Sequence, residues 1–186
     1  ASGNWLGTLG WRGAYVHELD RTLVTCFPGQ TQPTILYVPE SHRTAMARRW
    51  GQMLVETKFM VSVLKEKLSP QGFLIKRALR LTIADVAAFL AGRLEDTYSA
   101  CVQSSGVRGL SQMVANTPGM TPWINDVPGA YYHGEPPPVG QPGGRVLYGI
   151  IPKGFEEFGY PSVNEHGERM LFLIRGNLPG RREAGK

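Results

Sequence analysis

The pattern that most constrains the fold is a periodic apolar stretch between Pro39 and Pro70. After Ser41, apolar residues and one threonine recur every three or four positions, at Met46, Trp50, Met53, Leu54, Thr57, Val61, Leu64 and Leu68. This spacing is typical of one face of an amphipathic helix, because about 3.6 residues complete a helical turn. Ser41 is a residue type that caps helix N-termini. The pattern predicts a helix from Ser41 to Leu68, ended by Ser69-Pro70-Gln71-Gly72.

Helical character is predicted to continue as far as residue 116. A second helical region extends to about Gln103, because Ser104-Ser105-Gly106 is a typical C-terminal stop. A short third helix is predicted from Leu110 to Ala115. We therefore expect a helical bundle over residues 41–116.

The segments on either side of this bundle are rich in residues that favour strands. Residues 1–40 are expected to form a short β-meander, with strands at Trp11–Leu19, Thr22–Phe27 and Thr34–Val38. Residues 145–176 are expected to form a β-hairpin from two apolar runs, Arg145–Ile151 and Met170–Ile174. Residues 177–186 are polar and are expected to be a flexible tail. The expected fold class is α+β, a helical bundle with a small antiparallel N-terminal sheet and a C-terminal β-hairpin.

The segment 117–144 combines many prolines and glycines with large apolar and aromatic side chains. Proline removes a backbone donor and glycine loosens the chain, so no regular element is expected here. The large side chains are Trp123, Ile124, Tyr131 and Tyr132, and such residues anchor protein interfaces. We expect an extended arm that binds a partner through these four residues. The alternative is that the segment folds back and buries them against its own bundle.

The sequence Leu81-Thr82-Ile83-Ala84-Asp85 contains the variant of a helix capping box that ends in Asp. In such a box the Thr82 oxygen would accept a hydrogen bond from the backbone N–H of Asp85, and the Asp85 carboxylate would accept one from the backbone N–H of Thr82. Leu81, which precedes the cap, and Val86 beyond it fit a hydrophobic staple. The motif predicts a helix that begins at Thr82, with Thr82 and Asp85 as its structural cap.

This motif resembles the one in the helical C-terminal domain of the glutathione transferase superfamily. The surroundings are similar as well: Phe73-Leu74 precede the motif, Phe89-Leu90 follow it, and Pro118 stands where the family often has a proline. Ile35 to Val38 with Glu40-Ser41 resemble the family's fourth strand and the start of its next helix. The resemblance covers about residues 35–118 and implies the helical bundle predicted above.

The resemblance implies a binding protein more than an enzyme, because only about 40 residues precede Ser41. Catalytic members of that superfamily carry a complete thioredoxin-like domain there, with the Tyr, Ser or Cys that activates glutathione. Members that lack this domain use the helical bundle to bind other proteins. By resemblance, the chain is a non-catalytic adaptor. An enzyme that uses glutathione or a related thiol is the alternative.

No complete catalytic or metal-binding pattern stands out from the residues themselves. His133-Gly134-Glu135 and His166-Gly167-Glu168 repeat one tripeptide, whose side chains include metal-ligand types, but the tripeptide is also typical of a turn with glycine at positive φ. Cys26 and Cys101 are too far apart for a metal or redox motif, and both are expected to be reduced thiols in the core. We therefore predict no catalytic residue, no cofactor and no metal.

The chain carries 20 Lys and Arg against 15 Asp and Glu, a net charge of +5, and 42% apolar residues in 186. The apolar content excludes a wholly disordered chain. No apolar run is long enough for a transmembrane helix, which leaves peripheral membrane contact open. The first residue is Ala, so we expect either an internal start or a removed targeting segment. The charge weakly favours the mitochondrial matrix or another organelle, with the cytoplasm next.

These observations lead to three functional hypotheses. The first is a structural or adaptor subunit of a larger protein assembly, such as a mitochondrial complex, whose partners bind the helical bundle and the extended arm. The second is a glutathione- or thiol-dependent transferase. The third is an RNA-binding or ribosome-associated protein, although the modest charge excess favours nucleic acid less than protein partners.

Overall fold

The computed structural model describes residues 9–26, 30–84, 104–121, 138–141, 144–176 and 178. Three α-helices and five strands occur in these ranges. The helices are α1 (Leu9–Leu19), α2 (Glu40–Trp50) and α3 (Ser104–Asn116). The strands are β1 (Ile35–Pro39), β2 (Val55–Leu68), β3 (Leu74–Ala84), β4 (Val146–Ile150) and β5 (Met170–Ile174). A π-helical turn at Asp20–Val24 extends α1, and short 3-10 turns lie at Gln52–Leu54 and Phe155–Phe158.

The five strands form one mixed sheet in the order β1-β5-β4-β2-β3. Three of its four strand pairs are antiparallel, and β2 pairs with β4 in parallel. The strands β1 and β3 are therefore the two edges. The fold is α+β, and a central sheet takes the place of a helical core.

Each face of the sheet packs against a different helix. On one face, α1 and the turn at Phe155–Phe158 cover a core whose fully buried members include Tyr15, Ile35, Leu81, Phe155, Phe172 and Leu178. On the other face, α2 covers a smaller core of Ala47, Val55, Tyr148 and Leu171. Alternate residues of each strand point to opposite faces, so adjacent positions such as Leu171 and Phe172 belong to different cores.

The predicted helical bundle over residues 41–116 is wrong. Helix α2 begins at Glu40 as expected from the Ser41 region, but it ends at Trp50, where Gly51 takes a φ of +90°. From Val55 onward the chain forms β2, and the predicted helix break at Ser69–Gly72 is the turn between β2 and β3. Of the predicted helices beyond residue 68, the short one at Leu110–Ala115 lies inside α3.

The resemblance to the glutathione transferase C-terminal domain is contradicted by the same elements. Thr82, expected to cap a helix, lies inside strand β3 opposite Val61, and its hydroxyl donates to the Val61 carbonyl at 3.3 Å. Asp85, its expected partner in the cap, lies outside the described residues. The bundle that the resemblance requires is replaced by a β-hairpin, so the chain is not a domain of that type.

The N-terminal β-meander is also wrong in its first half. Trp11–Leu19 belongs to helix α1, and the Asp20-Arg21 turn belongs to the π-helical extension. The residues of this segment that pack against the core, Trp11, Ala14, Tyr15 and Leu19, are three or four positions apart. That spacing matches a helix, whereas a strand would bury every second residue.

The strand predicted at Thr22–Phe27 is wrong too, because Thr22–Val24 belong to the π-helical turn. Three other predicted strands occur close to their expected positions. Thr34–Val38 corresponds to β1, and the apolar runs 145–151 and 170–174 correspond to β4 and β5, which pair antiparallel. The pairing extends further than a hairpin, because β5 also pairs with β1, with Ile35 opposite Ile174. The N-terminal and C-terminal strands therefore share one sheet.

Helix α1 is attached to the edge strand β3 by one buried carboxylate. Glu18 is almost fully buried, and its Oε1 accepts a hydrogen bond of 3.0 Å from the backbone N–H of Leu81. Its Oε2 pairs with the guanidinium of Arg21 in the next turn. Because β3 is an edge strand, the outward N–H of Leu81 has no neighbouring strand to bond, and the carboxylate takes that place.

We predict that Glu18→Ala destabilises the chain by about 2–3 kcal/mol, because the buried amide of Leu81 and the Arg21 side chain both lose their acceptor. Chemical denaturation followed by circular dichroism would measure the loss. Glu165→Ala is the matched control, since Glu165 is exposed in the loop before β5 and should change stability by less than about 0.5 kcal/mol. Equal stability of the two variants would contradict the role given to Glu18.

Candidate functional site

The described part of the chain has one large surface that its own helices leave uncovered, on the hairpin of β2 and β3. Strand β2 pairs with β4 only from Val55 to Phe59, and beyond that point it pairs with β3 alone. We call residues 59–84 the β2–β3 arm. Two-stranded hairpins are marginally stable in isolation, so the arm depends on packing over at least one face.

The inner face of the arm supplies that packing. Its buried residues are Met60, Leu79, Leu81 and Ile83, which belong to the core under α1. Toward the tip the same face carries Glu66 opposite Arg77, joined by an ion pair of 3.0 Å, and the Arg77 guanidinium lies over the Trp11 ring. The inner face is thus buried at its base, while Leu64 and Leu68 nearer the tip are partly exposed.

The outer face of the arm consists of the alternate side chains. At its base are Phe59, Val61 and Val63, whose exposed fractions are 65%, 42% and 47%. Helix α2 packs on this side of the sheet too, but over Tyr148, Leu171 and Val55, not over the arm. Three adjacent apolar side chains on one strand therefore face outward. Contiguous exposed apolar surface of this kind marks an interaction site more often than scattered apolar residues do.

Toward the tip the outer face becomes basic. Lys65 and Lys67 follow the apolar residues on β2, and Lys76 and Arg80 lie on the same face of β3. All four side chains are exposed, and none has an ion-pair partner among the described residues. The only carboxylate of the arm is Glu66, which lies on the inner face. The outer face therefore carries four positive charges and no negative one.

Two of these lysines lie directly opposite each other. Lys67 and Lys76 are register partners in the antiparallel pair, and Lys65 lies diagonally from Lys76. Like charges directly across a β ladder destabilise it, and diagonal neighbours are only about 7–8 Å apart. The free chain thus holds an unfavourable cluster of charge that an anion bound to the outer face would relieve.

The turn at the tip is well ordered. The Ser69 N–H donates to the Phe73 carbonyl at 2.8 Å, and the Ser69 hydroxyl accepts from the N–H groups of Gln71 and Phe73. Phe73 and Ile75 are exposed beside it. The tip therefore presents apolar side chains on a turn whose shape is fixed by its own hydrogen bonds.

A second polar cluster joins α2 to the sheet and has a structural role. The His42 Nδ1 and the Tyr148 hydroxyl are 2.8 Å apart, and Tyr148 is fully buried. Burial raises the pKa of Tyr148 to about 12, against the opposing effect of the Arg43 charge. A hydroxyl so placed bonds the helix to β4 and is not reached from solvent.

The start of α2 is capped by a distant loop. Pro39 precedes the helix and offers no capping side chain, but the Ser41 N–H donates to Glu168 Oε1 at 2.9 Å and the Glu40 N–H donates to the Arg169 carbonyl. Hydrogen bonds from the Ser41 hydroxyl and from its N–H lower the pKa of Glu168. The carboxylate therefore serves the helix in its charged form.

The second His-Gly-Glu tripeptide forms the turn that carries this carboxylate. Gly167 has a φ of +76°, and the Asn164 Oδ1 accepts from the N–H groups of His166 and Glu168. The turn interpretation is confirmed for residues 166–168. In the described ranges no group of three His, Cys, Asp or Glu side chains is placed to hold a metal ion. His133-Gly134-Glu135 lies outside these ranges.

The other residues singled out from the sequence are only partly described. The four expected anchors of the extended arm, Trp123, Ile124, Tyr131 and Tyr132, lie outside the described residues, as do Asp85 and Cys101. Cys26 is exposed, so the expectation that it lies in the core is wrong. The structure thus brings none of these residues together with the outer face.

Comparison of the chain with protein-family models, with curated protein sequences and with solved structures finds no match. The expected membership of the glutathione transferase superfamily is therefore unsupported by sequence as well as by fold. Among the helices that the structure describes, none is long and apolar enough to cross a membrane.

Sequence reasoning did not find the outer face, although the sequence carries a signal for it. The alternation Val55-x-Thr57-x-Phe59-x-Val61-x-Val63 has the period of a strand and is rich in β-branched residues. Once β2 and β3 are taken as a hairpin about Ser69–Gly72, the odd positions of β2 and the even positions of β3 fall on one face. Lys65, Lys67, Lys76 and Arg80 then fall on the face opposite to Glu66.

We predict that Glu168→Gln weakens the fold at neutral pH and has little effect in acid. The folded-state pKa of Glu168 is lowered from its ordinary value of 4.5, so its contribution is present above that value and is lost as the pH falls through the lower pKa of the folded state. Thermal unfolding over a range of pH would show the wild-type and variant curves converge in acid. With Glu165→Gln, an exposed control, the difference should be small throughout. A constant gap between wild type and Glu168→Gln would contradict the cap.

Proposed function

We propose that the chain is a non-catalytic structural subunit of a larger assembly, attached through the outer face of the β2–β3 arm. The observation that carries the proposal is the exposed run of Phe59, Val61 and Val63 at the base of a hairpin, where the opposite face is buried. Exposing three adjacent apolar side chains is unfavourable for an isolated chain and becomes favourable when a partner covers them. Residues 55–84 of the expected helical bundle form strands β2 and β3. The binding role proposed for that bundle is therefore assigned to the β2–β3 arm.

The polar clusters of the described residues support the same function. The carboxylates of Glu18 and Glu168 accept hydrogen bonds from backbone N–H groups. The buried Tyr148 hydroxyl forms a hydrogen bond with His42. Each of these groups therefore has a structural role that accounts for its burial or its shifted pKa. The outer face of the arm has no such role in the described residues, since Phe59, Val61 and Val63 are exposed there.

We predict that Val61→Thr combined with Val63→Thr removes the chain from its assembly while leaving it folded. Threonine keeps the β-branched shape and strand preference of valine, so the stability of the free chain should change by less than about 1 kcal/mol. The added hydroxyls would lose water when a partner covers them, which disfavours binding. The measurement is co-sedimentation of the tagged full chain with high-molecular-weight material in a native extract.

Val16→Thr combined with Val24→Thr is the matched control. These two valines are exposed on α1 and its extension, on the opposite side of the sheet from the outer face, and receive the same chemical change. Co-sedimentation should survive in the control and fail in the arm variant. Sedimentation of the wild-type chain by itself as a free monomer, or equal retention of both variants, would refute the proposal.

A further inference from the structure

The outer face has a charge pattern that identifies the chemistry of its partner. Lys65, Lys67, Lys76 and Arg80 project from the same side as Phe59, Val61 and Val63, and none of the four is paired within the described residues. We propose that the partner on this face is single-stranded RNA, an inference that rests on the proposed function above.

The first step of the argument is charge complementarity. The outer face holds four cations and no carboxylate, and the arm's single carboxylate is neutralised by Arg77 on the other side. Phosphate groups bound there would release the repulsion between Lys67 and Lys76. A polyanion binds such a row of cations by displacing counterions, which makes the affinity fall steeply with salt.

The second step is the aromatic and apolar base of the same face. Phe59 is the most exposed of its three large apolar residues, and its ring is free on a sheet surface next to Val61. Nucleic-acid bases stack on exposed aromatic rings of sheet platforms, while cations along the platform hold the backbone. The exposed ring and the cations together therefore match a single strand of nucleic acid.

The third step is geometry. From Phe59 to Lys67 the outer face extends over roughly 27 Å of strand. One extended RNA strand fits along a row this narrow. A base at one end would lie on Phe59, and phosphates further along the strand would lie beside the lysines. Unpaired bases are regularly available in the loops and ends of folded RNA, which is why RNA is the expected source of such a strand.

The decisive variant is Lys76→Glu, measured with an oligouridine long enough to cover the face, labelled for fluorescence anisotropy. An opposite charge across from Lys67 should stabilise the hairpin and raise the Tm of the free chain. The same change should weaken oligouridine binding by at least tenfold. If Lys76 only supported the fold, Lys76→Glu would lower the Tm and the affinity for oligouridine together. A higher Tm with a lower affinity is expected only if Lys76 contacts the RNA.

Lys153→Glu is the matched control, because it makes the same change in net charge at an exposed position in the loop after β4. It should leave the affinity within about twofold of wild type. Phe59→Leu should weaken binding about tenfold through lost stacking, with an unchanged salt dependence. For the wild type, a threefold rise in salt should weaken binding roughly twentyfold if all four cations contact phosphates.

Several results would overturn the inference. The first is no binding of oligouridine, and the second is an equal loss of affinity in Lys76→Glu and Lys153→Glu. The third is tighter binding of a DNA strand of the same length. The fourth is equally effective competition by polyglutamate, which would identify an acidic protein as the partner. If oligouridine does not bind but the chain still co-sediments with high-molecular-weight material, the RNA inference is wrong and the proposed structural function remains. RNA binding by a chain that does not co-sediment would remove the structural function alone.

Discussion

The carboxylate of Glu18 is the contact on which the arrangement of the sheet depends. It closes the outer edge of β3 by accepting the N–H of Leu81, and it holds α1 alongside that strand. An edge strand with free N–H groups is a template for pairing with another chain. Because α1 and Glu18 occupy this edge, β3 is protected from strand addition at that point.

The two faces of the arm separate packed side chains from exposed ones. Strand geometry assigns neighbouring residues to opposite sides, so Met60 can be buried while Phe59 and Val61 stay exposed. The ion pair of Glu66 with Arg77 is on the packed side, where it adds no net charge. The opposite side collects the unpaired cations. Residues of the outer face can consequently change with little effect on the core.

The sequence was sufficient for the strands β1, β4 and β5 and for the class α+β, because short apolar β-branched runs between turns are distinctive. It was insufficient for β2, since Val61, Leu64 and Leu68 fit a helical stripe while Phe59, Val61 and Val63 fit a strand. The helix ends at Gly51, and the pairing of β2 with β3 and β4 decides the rest. The pairing with β4 is non-local, so neither local pattern of β2 reveals it. The outer face was not predicted from the sequence because its residues lie side by side only when β2 and β3 pair as a hairpin.

The order of the strands has a consequence for how the chain reaches this structure. The β2–β3 pair joins residues close in sequence, with Leu68 opposite Leu74, and can form by local zipping. The pair β1–β5 joins Ile35 to Ile174, and the parallel pair β2–β4 needs a long crossover. Contacts of high sequence separation form slowly, since loop closure precedes them. During synthesis the basic face of the hairpin is thus assembled before β5, which completes the sheet, has been made.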